Sequence, residues 1–567
     1  MRYKKLAEFY EEASSTTKRL EKIEILSKFL KHLSEKDRDV MYLLLGDIYP
    51  EYDEKRIGIS NQLAIKAIAK ATGENKKKII HEWKIIGDLG KVAEKFTLKK
   101  KQLTLHRHIL TTEKILENLR KLPELQGKGT VGKKILLITE LLTSASPVES
   151  LYLVRILIGD LRIGVKESTI REALSKAFFK GDKKASKKVQ NAIDKSNDLS
   201  AVFDIAKKGK LKDFGKISLK VGKPIKVMLA QKTTTIKDGF KALGKPCAIE
   251  YKYDGFRLLI HKKDKYVSLF TRRLENVTKQ FPEVVDYVNK YVKGHSFILD
   301  SEAVGFNRKT KQHTNFQSIS QRIRRKYHIE KLQKELPVEI NVFDIIYYNG
   351  KSQLSEPFEK RTALIKKIVK NHKYKIIHAK QIITSNEKRA KEFYKKALRD
   401  NQEGVMMKNL KAEYNPGRRV GHMLKIKPEE KDLDLVIVGA EYGTGKRSGW
   451  LSSFILACLD KNKFLEIGKV GTGIKEKSEE GISFEDLTNK IKPLIIEEKG
   501  KSVKIKPKII ISVTYQEIQK SPNYNSGWAL RFPRFTALRP DKHISEITTL
   551  KEVEADFKHQ RRNWKYG

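Results

Sequence analysis

The residue in this sequence best placed to act as a nucleophile is a lysine at the end of an apolar run. Lys252 lies in the stretch Glu250–Arg257, with apolar residues on both sides. The pair Asp254-Gly255 is typical of a tight turn, and the pattern predicts two strands joined there as a hairpin. Burial and a neighbouring cation such as Arg257 lower the pKa of a lysine and free its lone pair. The alternative is an ordinary strand-end lysine that points into water, because four residues form a weak motif.

Five later stretches carry charged and aromatic side chains of the types that phosphoryl transfer needs. Asp300 and Glu302 are spaced at i and i+2, which puts both carboxylates on one face of a strand, where they need a cation or a metal. The other four stretches are Leu269–Asn276 with paired arginines, Asn341–Tyr347 with an aromatic and an acid, Glu403–Lys408, and Met423–Lys427 with two lysines on one strand face. Together they supply a nucleophile, acids for metals, cations for phosphates and a surface for a base.

The charge of the chain indicates a polyanionic partner. The 118 Lys and Arg minus the 69 Asp and Glu give a net charge of +49 over 567 residues. Such a field concentrates and steers polyanions, so nucleic acid is the first expectation and an anionic membrane surface the second. Coding bias in an AT-rich genome could supply some of the lysines, but it does not account for the missing acids.

The two cysteines, Cys247 and Cys458, both lie in apolar runs. Two are too few for a disulfide framework or a Cys-rich zinc site, and they suit a reducing cytoplasm. The N-terminal residues lack the apolar core of a signal peptide. Charges interrupt every apolar run before it reaches the roughly 18 residues of a membrane span, so we expect no membrane partner.

The hydrophobic patterns predict three domains. Residues 1–220 read as helical, with helices at 60–71, 111–121, 132–143 and 148–159. Residues 221–431 have an α+β pattern, with strands at 247–253, 257–262, 266–271, 297–304, 338–348, 404–409 and 422–427 and helices at 278–292, 316–326, 359–370 and 387–400. Residues 432–567 carry short strands and Gly-rich turns, which predict a small β-barrel of the oligonucleotide-binding (OB) type.

A Gly-flanked turn near the end of one predicted helix is a candidate contact with a DNA backbone. Arg155 and Arg162 flank Gly159, and Gly164 follows. Glycines allow close backbone approach, and backbone N–H groups at helix starts suit phosphates. The alternative is a helical domain whose lysines and arginines are simply solvated.

The order of these motifs resembles the covalent nucleotidyltransferases, and most closely the ATP-dependent DNA ligases of the archaeal and eukaryotic replicative type. The stretch Gly527–Lys542 is similar to the last motif of that family almost residue for residue, and it is the most specific signal in the chain. The Arg155–Gly164 run and Lys226–Ala230 resemble the family's N-terminal DNA-binding domain. The resemblance thus covers nearly the whole chain and implies a helical DNA-binding domain, an adenylation domain and a C-terminal OB-fold.

The resemblance also implies a role for individual residues. Lys252 would attack the α-phosphate of ATP and form a lysyl-AMP phosphoramidate. Nucleotide contacts are implied for Glu250, Arg257, Arg272, Glu302, Phe343, Met406, Arg419, Lys425, Lys427, Arg534 and Lys542. Among these, Glu250 would hold the adenine amine between Phe343 and Met406. Glu302 and Glu403 would place Mg²⁺. Arg534, Arg539, Asp541 and Lys542, in the C-terminal domain, would orient the leaving pyrophosphate.

The implied function is the sealing of nicks in duplex DNA during replication, repair and recombination. AMP passes from the lysine to a DNA 5′-phosphate, and the 3′-hydroxyl then displaces it. An RNA ligase or a capping-type nucleotidyltransferase shares this chemistry, but the long helical N-terminal region argues against both. A basic DNA-binding scaffold with a dead catalytic core is the non-enzymatic alternative, and the intact Lys252, Glu302, Lys425 and Lys427 argue against it.

The resemblance further implies a set of partners and a location. Nicked double-stranded DNA is the expected substrate, and the protein is expected to be a monomer. A sliding clamp is a further partner, for which Gln102–His106 is the candidate segment, although it lacks the usual aromatic pair. The expected location is the cytoplasm, at the nucleoid, or the nucleus if the source is eukaryotic.

Overall fold

The computed structural model describes residues 1–53, 55–100, 109–125, 127, 129–314, 316–325, 327–417, 421–428, 432–476 and 478–562. The chain divides into two compact units. The first comprises Met1–Thr72 and Thr97–Pro428, and the second comprises Gly73–Phe96 and Glu429–Gly567. One segment from the N-terminal third, Gly73–Phe96, thus groups with the C-terminal strands.

The N-terminal region is helical, as the periodicity predicts. Its α-helices are α1 (Tyr3–Ser14), α2 (Arg19–His32), α3 (Val40–Leu43), α4 (Asn61–Thr72), α5 (Lys76–Ile86), α6 (Leu89–Leu98), α7 (Thr112–Lys121), α8 (Thr130–Ser144), α9 (Pro147–Leu157), α10 (Glu167–Phe179), α11 (Lys183–Ser196) and α12 (Leu199–Lys207). Helix α9 begins sharply because Ser146 and Glu149 form a reciprocal capping box around Pro147, which is preset for a first turn. Every residue of α9 from Glu149 to Leu157 is buried, so this helix lies in the core of the region.

The remainder of the first unit contains two β-sheets. Its strands are β1 (Gln231–Lys232), β2 (Cys247–Lys252), β3 (Phe256–Lys263), β4 (Tyr266–Thr271), β5 (Ser296–Gly305), β6 (Val338–Tyr348), β7 (Lys351–Ser352), β8 (Ile376–His378), β9 (Gln381–Thr384), β10 (Gly404–Asn409) and β11 (Met423–Ile426). Sheet A has the order β1-β11-β10-β2-β9, and sheet B has the order β4-β3-β5-β6-β7, with β8 parallel to β6. The helices between them are α13 (Ile236–Leu243), α14 (Pro282–Tyr291), α15 (Phe316–Arg324), α16 (Ile329–Glu335), α17 (Phe358–Ile368) and α18 (Glu387–Arg399).

The predicted hairpin at Asp254-Gly255 is wrong. Strand β2 belongs to sheet A and β3 to sheet B, so this turn carries the chain from one sheet to the other. A Cβ atom on Gly255 would lie 2.2 Å from the backbone oxygen of Ala303 in β5, which shows how closely the turn packs on sheet B. The turn is present where the sequence predicts it, but the two strands that it joins do not pair with each other. Strand β2 pairs with β9 and β10, whereas β3 pairs with β4 and β5.

Both faces of sheet B are covered, which explains why its strands read as nearly continuous apolar runs. Leu258 and Leu299 face a core shared with Val284 of α14 and Ile365 of α17. On the opposite face, Leu259 packs with residues of the segment 219–230. The sequence pattern at residues 216–245 predicts a linker, but its part 219–230 packs into the core of the first unit.

The second unit is rich in strands, as predicted. Its elements are β12 (Asp432–Tyr442), β13 (Leu451–Asp460), β14 (Lys463–Val470), α19 (Phe484–Ile491), β15 (Ile495–Lys499), β16 (Ser502–Ile505), β17 (Ile510–Thr514), β18 (Glu517–Lys520), β19 (Trp528–Arg531), β20 (Arg534–Leu538) and α20 (Leu550–Arg562). Strand β12 pairs with β13 along one edge. Along its other edge, the first residues of β12 pair with β17 and the last residues pair with β16. The sequence patterns predict strands at 433–441, 453–459, 463–470, 502–506 and 508–515, which match β12, β13, β14, β16 and β17, but they miss the short strands β15 and β18–β20.

A buried ion pair braces the catalytic region behind sheet B. Arg361 of α17 donates Nε to Asp344 of β6 at 2.7 Å, and its Nη1 donates to the carbonyl of Ala412 at 2.9 Å. Both side chains are almost wholly buried. Removing one partner of such a pair leaves the other charge uncompensated in a poorly solvated place.

We expect Arg361→Met to lower the free energy of unfolding of the first unit by about 3–5 kcal/mol, because Asp344 would stay buried without its partner. Urea denaturation followed by far-ultraviolet circular dichroism would measure this, because most of the helices belong to the first unit, whereas all four tryptophans belong to the second. Lys360→Met is the matched control, since Lys360 pairs with Glu356 at the surface and should contribute less than about 1 kcal/mol. Equal losses in both variants would contradict the bracing role.

Candidate functional site

The candidate nucleophile lies where the central strands of sheet A end. Lys252 is the last residue of β2 and is paired with Gly404, the first residue of β10. The backbone N–H of Glu403 donates to the Lys252 carbonyl at 2.9 Å, so the two residues are fixed side by side. A Cβ atom on Gly404 would lie 2.1 Å from the Ile426 backbone oxygen, and its φ is +144°. Only glycine fits there, which lets β10 and β11 bring Glu403 and Lys427 to the same place.

Glu403 is the shared partner of two lysines. Its Oε2 lies 2.5 Å from Nζ of Lys252 and 2.6 Å from Nζ of Lys427. Burial alone would raise the pKa of Glu403, but the two ammonium groups outweigh burial and lower it to about 2. This anion, and not Arg257, is the charged neighbour that contacts Lys252.

Glu302 is the second carboxylate of the site. It stands opposite Arg257 in the β3–β5 ladder. Loss of solvation raises the pKa of Glu302 to about 8, with the nearby Glu403 and Asp300 adding to the rise and Lys252 and Arg257 opposing it. Glu302 therefore resists ionisation beside the ionised Glu403, and an added cation between the two carboxylates would be stabilising.

The donor set fits a hard divalent cation that brings other ligands with it. Within the described ranges, no group of three or more His, Cys, Asp or Glu side chains could enclose a metal ion. Two carboxylates, Glu302 and Glu403, fit Mg²⁺, which keeps several waters and is bound by one or two carboxylates together with substrate phosphates.

Arg257 and Asp300 form the wall beside Glu302. Nε of Arg257 donates to Oδ1 of Asp300 at 2.7 Å, and its Nη1 donates to the Met228 carbonyl at 2.8 Å. The hydroxyl of Tyr414 donates to Oδ2 of Asp300 at 2.7 Å. Asp300 and Glu302 therefore share a strand face as predicted, but Asp300 is fully buried and is engaged in holding Arg257.

A second buried acid lies at the other end of the site. Glu250 is 2% exposed; its Oε2 lies 2.6 Å from Nζ of Lys408, and its Oε1 accepts from Nε2 of Gln381 at 2.8 Å. Lys408 also donates to the Phe343 carbonyl at 3.2 Å, and its Nζ lies 4.9 Å from the centre of the Phe343 ring. Burial raises the pKa of Glu250, and Lys408 and Gln381 oppose the rise. Met406 is the cross-strand partner of Glu250, so one carboxylate, one aromatic ring and one thioether adjoin.

Sequence reasoning missed Lys408 and Gln381 as members of this end of the site. Lys408 could have been found, because it stands two residues after Met406 on the same strand and so shares its face. Gln381 carries no local signal, since it comes from β9 and reaches Glu250 only through the pairing of β9 with β2.

The remaining predicted nucleotide contacts are spread over both units. Arg272 follows β4 directly and is exposed, and Lys425 pairs with Met406 and with Lys232 across its two neighbouring strands. Arg419 lies outside the described residues, as does the candidate clamp segment Gln102–His106. Arg534 and Lys542 belong to the second unit, where Nζ of Lys542 lies 2.6 Å from Asp434.

Of the two arginines that the sequence predicts to contact DNA near the end of α9, one is buried. Arg155 is only 7% exposed and its guanidinium lies 5.3 Å from the centre of the Tyr152 ring. Arg162 is partly exposed, has φ +59° and donates Nε to Asp160 at 2.7 Å. Of the two arginines, Arg162 is the one that presents its side chain at the surface of the turn.

Sheets A and B thus bring Lys252, the carboxylates Glu302 and Glu403, and the side chains of Phe343 and Met406 into one region, and these are the residue types that a covalent nucleotidyltransferase uses. Three family models then match consecutive parts of the chain: DNA ligase N terminus at residues 2–175, ATP dependent DNA ligase domain at 227–427, and ATP dependent DNA ligase C terminal region at 447–542. The chain belongs to the ATP-dependent DNA ligase family, whose function is to seal nicks in DNA.

Full-length relatives agree with this assignment. The chain is 43% identical over 565 residues to a DNA ligase of Nanoarchaeum equitans and 38% identical over 565 residues to one of Thermococcus onnurineus, with 99% of each chain covered in both cases. The solved structure Pmar-Lig_PreS3 is similar in fold, with a TM-score of 0.60 and 20% identity over 94% of this chain and 99% of that chain. Among the described helices, we find none with the length and hydropathy needed to cross a membrane.

The raised pKa of Glu302 predicts a pH dependence of stability in the ligand-free protein. Between the ordinary value of 4.5 and the folded value of about 8, the folded state keeps a proton that the unfolded chain has released. The stability that this proton contributes is fully present below pH 4.5 and is lost as the pH rises to about 8. We expect Glu302→Gln, which stays neutral, to flatten the fall in unfolding free energy over this range.

Urea titrations at several pH values would measure the slope for the wild type and for Glu302→Gln. Glu330→Gln, at an exposed position of α16, is the matched control and should keep the wild-type slope. The same slope in the wild type and in Glu302→Gln would contradict the assignment of the raised pKa to Glu302.

Proposed function

We propose that Lys252 is the residue that carries AMP during nick sealing. The observation that supports this most directly is the cluster in which Glu403 contacts both Lys252 and Lys427, with Glu302 beside it. In the first step, the bond from Nζ of Lys252 to the α-phosphorus forms as the bond to the bridging oxygen breaks. Pyrophosphate leaves with the electron pair, and the displaced ammonium proton passes to solvent. An oxygen of the 5′-phosphate at the nick then attacks the AMP phosphorus as the P–N bond breaks, and the Lys252 amine takes up a proton. The 3′-hydroxyl finally attacks the 5′-phosphorus, AMP leaves with the electron pair, and the hydroxyl proton passes to solvent.

The charges around Lys252 suit this step. An α-phosphate that enters the site competes with Glu403 for Lys427, so the lysine that now balances a carboxylate would balance the phosphate charge instead. Lys425 would add a second positive charge from the same stretch of chain. Lys252 attacks as the neutral amine, so its pairing with Glu403 must break before this step.

Glu302 and Glu403 are the residues that would hold Mg²⁺ beside the phosphates. When bound, the ion neutralises charge on the phosphate oxygens and fixes their orientation. Glu302, whose pKa is about 8 without a cation, would then ionise and complete the ligand set.

The buried end of the site suits the adenine base. Glu250 would accept from the exocyclic amine, between Phe343 and Met406, and Lys408 with Gln381 holds the Glu250 carboxyl in place. Arg257, Arg272 and Arg419 are proposed to contact the ribose and the α-phosphate. Because Asp300 already holds one edge of the Arg257 guanidinium, we expect Arg257 to meet the nucleotide in a preset orientation.

The N-terminal helices would bind the duplex around the nick. Arg162, at the surface of the turn after α9, is the proposed phosphate contact, and the buried Arg155 would support the turn from beneath. The net charge of +49 suits a long contact with a polyanion. We further propose that the protein acts as a monomer in the cytoplasm, at the nucleoid, and that a sliding clamp recruits it.

The first test is the labelling of the protein with ATP that carries a radioactive α-phosphate, with Mg²⁺ and without DNA. We expect an acid-labile labelled protein that nicked DNA discharges, and complete loss of the label in Lys252→Ala because no other amine occupies that position. Lys263→Ala, at the exposed end of β3, is the matched control and should label normally. A labelled Lys252→Ala protein would exclude this lysine as the carrier, and a label that only RNA ends discharge would favour an RNA ligase.

Arg534 and Lys542 of the second unit, which we call the barrel cations, give a second test. Arg534→Ala and Lys542→Ala should each slow formation of lysyl-AMP by about 10-fold or more, because pyrophosphate loses a charged partner as it leaves. Both variants should still seal a nick that already carries AMP on its 5′-phosphate, since no pyrophosphate is released in that step. Equal loss in both assays would contradict a role confined to the first step.

A further inference from the structure

One carboxylate in the second unit contacts two cations of the stretch that resembles the family's last motif. Asp434 accepts from Nη1 of Arg539 with both oxygens, at 3.1 and 2.9 Å. Oδ2 of Asp434 also lies 2.6 Å from Nζ of Lys542. The Asp434 side chain is 13% exposed, so these contacts are partly shielded from water.

The backbone fixes this carboxylate and Arg539 independently of their side chains. Asp434 belongs to β12, its N–H donates to Oγ1 of Thr548 at 3.1 Å, and its carbonyl accepts from the Thr548 N–H at 2.8 Å. The N–H of Arg539 donates to the Ile510 carbonyl at 2.9 Å, directly after β20. Asp434 therefore provides a rigid anchor, whereas the lysine and arginine side chains are long and need one.

The geometry also separates the roles of the two cations. Asp541 takes the other edge of Arg539, accepting from Nε at 3.0 Å and from Nη2 at 2.8 Å. Arg539 is thus held on two sides by carboxylates. Lys542 carries three N–H donors and can keep its bond to Asp434 while it donates the others to a phosphate.

We propose that Asp434 is a positioning residue for the first step of the reaction, holding Arg539 and Lys542 together so that Lys542 meets the leaving pyrophosphate in a preset orientation. This inference rests on the proposed role of the barrel cations in that step. Asp434 itself would not touch the nucleotide. Asp434 would act through Lys542. The long lysine side chain loses less conformational freedom in binding the leaving pyrophosphate if Asp434 has already oriented it.

The test compares Asp434→Asn with Asp432→Asn, a change of the same charge at an exposed position two residues earlier on β12. Lysyl-AMP formation would be followed in a single turnover with labelled ATP, and sealing would be followed separately on a nick that already carries AMP. We expect Asp434→Asn to slow the first step by about 10-fold and to leave the sealing of the adenylated nick within about 2-fold of the wild type. Asp434→Glu should restore part of the first-step rate, and Asp432→Asn should behave as the wild type.

A double-mutant cycle with Lys542→Ala distinguishes positioning from a purely structural role. If Asp434 acts through Lys542, Asp434→Asn should slow the first step far less when Lys542 is already alanine. Additive effects, an equal loss in both assays, or a faster first step in Asp434→Asn would each overturn the inference. Should Asp434→Asn fail to fold, as judged by its melting curve, the cycle is run with Asp434→Glu, and additivity there overturns the inference equally.

The same data separate this inference from the one on which it rests. If Lys542→Ala leaves the first step unchanged, the proposed role of the barrel cations fails and the inference fails with it. If Lys542→Ala slows that step and Asp434→Asn does not, only the positioning role of Asp434 is lost.

Discussion

The contact between Glu403 and the ammonium groups of Lys252 and Lys427 is the interaction on which the catalytic unit depends. Its three members are the last residue of β2, the residue before β10 and the residue after β11, so the end of β2, the start of β10 and the end of β11 must meet at one place. Gly404 makes that convergence physically accessible, because any side chain there would meet the backbone of Ile426. The Glu403 carboxylate balances the two ammonium groups, which would otherwise repel each other.

Buried ion pairs surround this centre and give its side chains fixed orientations. Asp300 with Arg257, Glu250 with Lys408, and Asp344 with Arg361 each lie in the catalytic region with little exposure. Such pairs contribute little net stability, because each charge loses its hydration, but breaking one is costly. Their value in this protein is geometrical, since they hold long side chains in one rotamer before the nucleotide arrives. Asp434 serves Arg539 and Lys542 in the same manner in the second unit.

Local patterns were sufficient for most elements of the fold. The strands β2–β6 and the helices α17 and α18 begin and end within a few residues of their predicted limits, because their apolar periodicity and turn residues are local properties. The pairing of β2 and β3 was not predictable in this way. A tight turn between two apolar strands is compatible with a hairpin or with a passage between sheets, and the choice depends on distant strands.

The sequence by itself determined the chemistry of this protein. The residue types of Lys252, Glu302, Glu403 and Lys427 indicate phosphoryl transfer, because they supply what that reaction requires. Their order and the stretch Gly527–Lys542 indicate a DNA ligase through their resemblance to the motifs of that family. Only the tertiary structure decided which charges meet. The engagement of Arg257 by Asp300 and the support of Glu250 by Lys408 and Gln381 join residues far apart in the chain. Spacing along a sequence carries no information on such contacts, because they form only when separate strands and helices pack.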